Sequence, residues 1–426
     1  MQFDVQHGFH SQSFLAVPLK PRKGEVLGVL VLINARTSGT GRVISFDDEA
    51  EKFIEALASQ AAVAVDNKNL LEAQNALLDS IIQVIASAID AKSPYTGGHC
   101  QRVPVIFQML LEMACEAQEG PFKDFSLDED GWRAARLAAW LHDCGKVTTP
   151  EYVVDKATKL ETLYDRIHEI RTRFEVLKRD AEIARLRAVL GRDLPDKERR
   201  ELEKELQNLD EEFAFVAACN SGDAPMDAAA LERLAAIGRH TWLRTLDKRL
   251  GVSRAELARM DLASPAAPPA RENLLMDLPE HIIARGEKDT LDPRNPWGFK
   301  VTPPQALYNR GELYNLSVRH GTLTEEERYK INDHITQTII MLEAMPLPKP
   351  LRSVPEIAGA HHETMDGKGY PRGLKREEMS WQARMMAVAD IFEALTAGDR
   401  PYKSSKTRRE ALAIMDRFRE REHSGP

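Results

Sequence analysis

Seven residues suited to binding a metal ion are strung far apart along this chain: His99, His142, Asp143, His334, His361, His362 and Asp390. Each lies on or beside an apolar helical stretch otherwise poor in histidine, such as "RAARLAAWLHD" before Asp143 and "MMAVADIFEALTAGD" around Asp390. One His-Asp pair is weak support for a site, because such pairs are common on surfaces. A lone His99 is more often a cap or core residue, and a lone His334 a solvated helix residue. As a set they point to metal. A carboxylate has two oxygens and can bridge two cations, and Fe, Mn, Mg and Zn accept mixed imidazole and carboxylate shells. Whatever this chain folds into must gather those seven.

Composition bounds the remaining choices. At 426 residues the chain exceeds one ordinary domain, so two or three units are expected. Hydrophobic content of 43% and charged content of 29% fit a soluble globular protein. No apolar run is long enough to span a bilayer. The start "MQFDVQHGFHSQSF" lacks the basic and apolar segments of a signal peptide. Cys100, Cys115, Cys144 and Cys219 have no paired spacing, which suits reduced thiols and a cytoplasmic location. A formal charge of −8 argues against a general binder of nucleic-acid polymers, while leaving room for a local basic pocket.

Four pieces can be read along the chain. Residues 13–34 hold two β-rich runs with Pro21 and Gly24 at the turn, a hairpin pattern. A helical pattern then runs from about Asp47 to Ala91, with Ser45 and Asp48 at its start and Phe53, Leu57, Ala61 and Val65 on one stripe. Its length suggests a connecting rod, and its alanines at 56–64 would permit close packing in a homodimer; a plain core helix followed by another is the alternative. The histidines of interest occupy roughly 92–164 and 315–420. Between them, Leu163, Ile167, Ile170, Phe174 and Leu177, then Leu202, Leu206, Leu209 and Phe213, trace a helical hairpin broken near 191–199. Because histidines stand on both sides, residues 165–315 read as an insertion within one domain.

The segments "HDCGK", "HHETMDGKGYPRGL" and "MMAVADIFEALTAGDRPYK" resemble the HD-GYP family of cyclic di-GMP phosphodiesterases. "KSPYTGGHCQRV" is similar to that family's first metal-binding helix and "TEEERYKINDHI" to its segment bearing a further histidine. The resemblance implies a mainly α fold: an HD-domain helical bundle over residues 92–426 with the helical-hairpin insertion, after a connecting helix at 68–91. It also implies that His99, His142, Asp143 and Asp390 hold one metal. Asp143 would bridge to a second, held by His334, His361 and His362. Successive helical residues point about 100° apart, so His361 and His362 can share one metal only near a helix end, a break the glycines at 367 and 369 would allow. Tyr370-Pro371 would stiffen the next loop into a wall of the substrate pocket.

On this reading two transition metals, Fe or Mn, share a hydroxide that attacks phosphorus in line with the departing 3′ oxygen of cyclic di-GMP. The product would be pGpG, GMP or both. Asp143 and Lys146 are the catalytic candidates. Lys146, three residues on along the same helix face, would hold a phosphate or the leaving oxygen; Tyr370, Arg372, Arg400 and Lys403 are further substrate contacts. Members with three metals carry a glutamate four residues before the first histidine; Tyr95 stands there, so two metals are expected. Two other functions stay open: a phosphohydrolase of other nucleotides, and a non-catalytic cyclic di-GMP receptor acting through partners such as a diguanylate cyclase. Finally, "SFLAVPLK", "GEVLGVLVLIN" and "FDDEAEKFIEALASQAAVAVDN" resemble the latter half of a GAF sensor domain, giving a partial α+β GAF-like unit at 1–67.

Overall fold

The computed structural model describes residues 10–21, 25–92, 98–188, 190, 194–263, 266–292, 294–398 and 405–420; Gly24, Tyr95, Arg400 and Lys403 fall outside these. The chain divides into two compact units, Met1–Val84 and Ile85–Pro426. No helix among the described residues is long and apolar enough to cross a membrane.

In the first unit, β1 (Phe14–Leu19) and β2 (Gly28–Ile33) pair antiparallel, with Phe14 opposite Ile33 and Leu19 opposite Gly28. A short ribbon of β3 (Ala35–Arg36) and β4 (Val43–Ile44) follows. Helix α1 (Asp48–Asp90) is continuous over 43 residues. Its start is capped by Asp47, whose carboxylate accepts from Ala50 N at 2.8 Å, rather than by Ser45. The expected stripe is not the buried one. Phe53 is 69% exposed and Leu57 49%, whereas Ala58 and Ala62 are fully buried. The buried face is turned one residue from the stripe, onto small side chains that let backbones approach.

The second unit carries the histidines. Its main helices are α2 (His99–Glu116), α3 (Glu129–Leu141), the single turn α4 (Glu151–Val154), α5 (Ile167–Ala188), α6 (Asp196–Ser221), α7 (Ala228–Gly238), α8 (Arg254–Ala263), α9 (Glu312–Leu316), α10 (Glu325–Glu343), α11 (Val354–Gly359), α12 (Trp381–Thr396) and α13 (Arg408–Glu420). Two small antiparallel ribbons, β5 (Thr241–Arg244) with β6 (Ala270–Asn273) and β7 (Ile282–Ala284) with β8 (Ala306–Asn309), stand between α7 and α9. Local signals start the helices. Asp128 accepts from Gly131 N at 2.7 Å ahead of α3. Thr324 and Glu327 form a reciprocal capping box on α10, and Ser380 caps α12.

Helices α5 and α6 make the expected hairpin. Ile167, Ile170, Phe174 and Leu209 are buried in it, and the rings of Phe174 and Phe213 meet edge to face at 5.5 Å. Leu163 breaks the pattern: it precedes α5 and is 92% exposed. The hairpin core runs on into Leu274, Leu275 and Leu316, so this segment packs as part of the second unit. Buried Lys156 binds both oxygens of Glu327 at 2.8 Å, joining the chain after α4 to α10. The four cysteines are unpaired; all but Cys115 are buried.

The element that fixes the site is the turn after α3, a 3-10 helix at Cys144–Thr148 packed against α10. Gly145 N donates to Thr338 Oγ1 at 2.9 Å. A Cβ on Gly145 would stand 1.8 Å from the main-chain oxygen of His334 and 2.6 Å from Thr338 N. Neither neighbour is a flexible side chain, so the turn has no way to yield locally. Gly145→Ala is expected to destabilise the second unit by at least ~3 kcal/mol. Denaturant unfolding of the metal-free protein checks this, and a loss below ~1 kcal/mol would show that the two backbones can separate without cost.

Candidate metal centre

Five helices, with the turns that follow two of them, bring seven side chains together. His99 opens α2, behind Gly98 at φ 87°. His142 ends α3, and Asp143 begins the 3-10 turn. His334 lies mid-way along α10 on its buried face, and Asp390 on α12. His361 and His362 follow α11, which ends at Gly359. The helix therefore stops ahead of the histidine pair, and the break does not depend on Gly367 and Gly369. Those glycines shape the loop: Gly367 has φ +78°, and a Cβ on Gly369 would stand 2.3 Å from Thr364 N.

Two groups able to hold a metal ion appear among the described residues, His99 with His142 and Asp390, and His334 with His361 and His362. Asp143 stands between them. Its Oδ2 is 3.2 Å from His99 Nε2 and 3.2 Å from His142 Nε2. Its Oδ1 is 3.2 Å from His334 Nε2 and 4.0 Å from His361 Nε2. Asp390 Oδ1 lies 3.3 Å from His99 Nε2.

The rings are held for ligation. His142 Nδ1 bonds Ala139 O at 2.7 Å, His334 Nδ1 bonds Ile331 O at 2.5 Å and His361 Nδ1 bonds Ala358 O at 2.7 Å. A carbonyl can only accept, so each Nδ1 carries the proton and each Nε2 turns a lone pair toward Asp143. His334 Nε2 is buried without a hydrogen-bond partner. It is within 3.2 Å of a carboxylate oxygen but lacks bonding geometry. A buried lone-pair nitrogen facing a carboxylate is costly unless a cation stands between them, so these donors fit a divalent metal.

Charge supports the same arrangement. Burial works against a charged His99, but contacts with Asp143, Asp390 and Glu393 outweigh it and push the imidazole up to about 11. Burial pulls His361 down to about 4 and holds His362 well below its ordinary value, so both are neutral at pH 7. Burial opposes ionisation of Asp143, yet the Lys146 ammonium beside it outweighs that and holds the carboxyl well below the usual carboxylate range.

The structure also brings in residues that sequence reasoning missed. Glu393, buried and three positions after Asp390, accepts from His99 Nδ1 at 2.5 Å and from Arg102 Nε at 2.7 Å. Its spacing from Asp390 on α12 was the available signal. Glu363 accepts from Arg372 N at 2.7 Å and Leu374 N at 2.9 Å, clamping the loop after the histidine pair. Asn332 faces the hydroxyl of Tyr370 at 3.3 Å.

The expected substrate contacts separate. Lys146 lies on the 3-10 turn rather than a helix face, and its Nζ is 2.5 Å from Asp143 Oδ2. Tyr370 is at the centre, its ring stacked on His362 at 4.9 Å and 14°. Arg372 is half-buried, with Nε donating to Trp297 O at 3.0 Å. Arg400 and Lys403 lie outside the described residues, as does Tyr95, the position on which the expected metal count turned.

Known families match at both ends. The HD domain family matches residues 269–426, which include the 334, 361, 362 and 390 positions but not His99, His142 or Asp143. The GAF domain family matches residues 2–65. The 3'3'-cGAMP-specific phosphodiesterase 3 of Vibrio cholerae is 41% identical over 96 residues, 22% of this chain and 20% of that protein. The 3'3'-cGAMP-specific phosphodiesterase 1 of the same organism is 36% identical over 127 residues, 28% of each. A cyclic di-GMP phosphodiesterase of Thermotoga maritima is 41% identical over 99 residues, 23% of this chain and 26% of that protein. The aligned part thus spans between a fifth and somewhat over a quarter of each of these relatives.

Two outcomes are expected of this geometry. Glu393→Ala removes the acceptor that orients His99 and should weaken metal binding at the His99 group by roughly 10–100-fold, read by competition with a chelator. A metal reaching His99 must also displace its proton, so affinity at that group should fall progressively as pH falls below about 11, with proton release at pH 7 visible by calorimetry in buffers of different ionisation enthalpy. Binding that releases no proton would mean that His99 is neutral in the metal-free protein.

Proposed function

We propose that this chain, which carries HD domain and GAF domain sequence, is a metal-dependent phosphodiesterase that hydrolyses cyclic di-GMP at a binuclear centre. The observation that carries the reading is Asp143, whose two oxygens face two separate groups of metal-binding side chains. A carboxylate placed between two sites is the arrangement a metal pair requires, whereas one metal would leave one oxygen and three imidazoles without a role. His99, His142 and Asp390 would hold one ion; His334, His361 and His362 would hold the other; Asp143 would bridge. When bound, the metals, Fe or Mn on this donor set, supply Lewis-acid stabilisation of the phosphoryl oxygens and lower the pKa of water.

The protein's own groups do the rest. Burial opposes the charge on Lys146, but Asp143 outweighs it and holds the ammonium above its ordinary range. Lys146 thus stays protonated and can give a hydrogen bond to a phosphate oxygen or to the departing 3′ oxygen. Burial keeps the Tyr370 phenol protonated, so beside His362 it acts as a donor and a flat wall for the substrate. The relatives supply the substrate class: their names specify cyclic di-GMP in one case and 3'3'-cGAMP in two, both cyclic dinucleotides. Hydrolysis of 3'3'-cGAMP is the second reading, favoured by those two names.

The test is hydrolysis of cyclic di-GMP, 3'3'-cGAMP and a nucleoside triphosphate by the Fe- or Mn-loaded protein. Turnover of either cyclic dinucleotide, with about two metals per chain, supports the proposal; turnover of the triphosphate alone, or none, overturns it. Asp143→Ala should lose both metals and activity. Lys146→Ala should keep metal and lose turnover by roughly 100-fold or more, and loss of metal in that variant would make Lys146 part of the fold rather than of the chemistry.

A further inference from the structure

We infer that residues 295–300 form a strap that fixes the Tyr370–Leu374 loop, and through it the His362 imidazole, with Asn295 and Arg372 as positioning residues. This deepens the proposed function and rests on it for the meaning of the site. The strap closes a long segment, residues 165–315, whose part in the metal centre the sequence leaves open.

The strap is stiff because one side chain ties it. Asn295 Oδ1 accepts from Phe299 N at 2.9 Å, while Asn295 Nδ2 donates to Phe299 O at 3.1 Å. An amide both gives and accepts, so it closes both ends of this turn; a carboxylate of the same shape would repel the carbonyl. Gly298, at φ +74°, allows the reversal inside the turn. Trp297 stacks on Phe299 with centroids 5.7 Å apart and planes 15° apart, and Phe299 is buried.

Two bonds then pass from the strap to the loop. Lys300 N donates to Pro371 O at 2.8 Å, and Arg372 Nε donates to Trp297 O at 3.0 Å. On its inner side the loop is held by Glu363 through the amides of Arg372 and Leu374. Tyr370 N donates to His362 O at 3.2 Å, and its ring lies flat on the His362 imidazole. Among the described residues, the His362 ring makes no carbonyl bond of the kind that fixes His142, His334 and His361. Its ring is packed by the His334 and His361 rings on the metal side and by Tyr370 on the other; Tyr370 rests on the loop, and the loop on the strap from outside and Glu363 from inside. Arg372 is therefore a strut to Trp297 and not a phosphate contact.

Asn295→Ala and Arg372→Ala, alone and together, test this. Hydrogen exchange is expected to speed up over residues 363–376 in Asn295→Ala while α5 and α6 keep their protection. Metal affinity at the His334, His361 and His362 group should fall roughly 10-fold, with the His99 group unchanged. The two substitutions act on one link, so the double variant should be no weaker than the worse single one. Arg372→Lys, which keeps a donor, should recover part of the loss. Unchanged exchange over 363–376 in Asn295→Ala overturns the strap. Additive losses, or a rise in KM for Arg372→Ala that Asn295→Ala lacks, overturn the strut and return Arg372 to the substrate. Exchange and metal affinity decide the inference even if the wild-type protein hydrolyses no cyclic dinucleotide, an outcome that would defeat the proposed function alone.

Discussion

The structure turns on a bond that a histidine makes to its own helix. In His142, His334 and His361, Nδ1 meets a carbonyl three residues earlier. That bond chooses the tautomer, sets the ring plane and sends Nε2 the other way. Three helix segments must then end or pass close enough to Asp143 for those nitrogens to converge. The backbones come so near that Gly145 has no room for a methyl group against α10. Asp143 can serve both groups only because the turn that carries it is pressed onto the helix that carries His334.

The parts of this site legible in the sequence are those whose residue type is itself the signal. The seven ligand candidates are chemically conspicuous, and the long helix and helical hairpin announce themselves by their apolar period. Orientation was not legible. Phe53 and Leu57 fit a helical stripe, yet the buried face of α1 is the adjacent one with Ala58 and Ala62. A stripe states which residues share a side, not which side meets a neighbour. Leu163 likewise continues the period of α5 by number but stands outside the helix.

Residues that act through a ligand were the least visible. Glu393 and Glu363 are ordinary carboxylates in composition, and both are buried. One holds His99 and the other holds two amides of the loop. Their roles depend on groups far away in sequence, since Glu393 and His99 are 294 positions apart. Arg372 shows the same limit from the other direction. Placed just after a loop rich in functional residues, it reads as a phosphate contact; in the folded chain its Nε is committed to Trp297 O.

A centre assembled in this way depends on what its neighbours do. Within the second unit, Lys92 meets it: Lys92 Nζ donates to Lys146 O at 3.2 Å and Val147 O at 2.6 Å, on the turn that bears Lys146. Asp90 accepts from the amides of Gly98 and Cys100 at the start of α2, beside His99. The strap meets it at the other side, through Pro371 and Arg372. The His99 side is thus tied to Asp90 and Lys92 of the same unit, and the His362 side to the segment between α4 and α9. Asp143 is the atom group common to both. A shift at either tie would move one set of nitrogens relative to the other, and a carboxylate bridging two metals, as proposed for Asp143, could not adjust to it. On that proposal the second unit has to keep its two outer ties in register for both groups to hold metal at once.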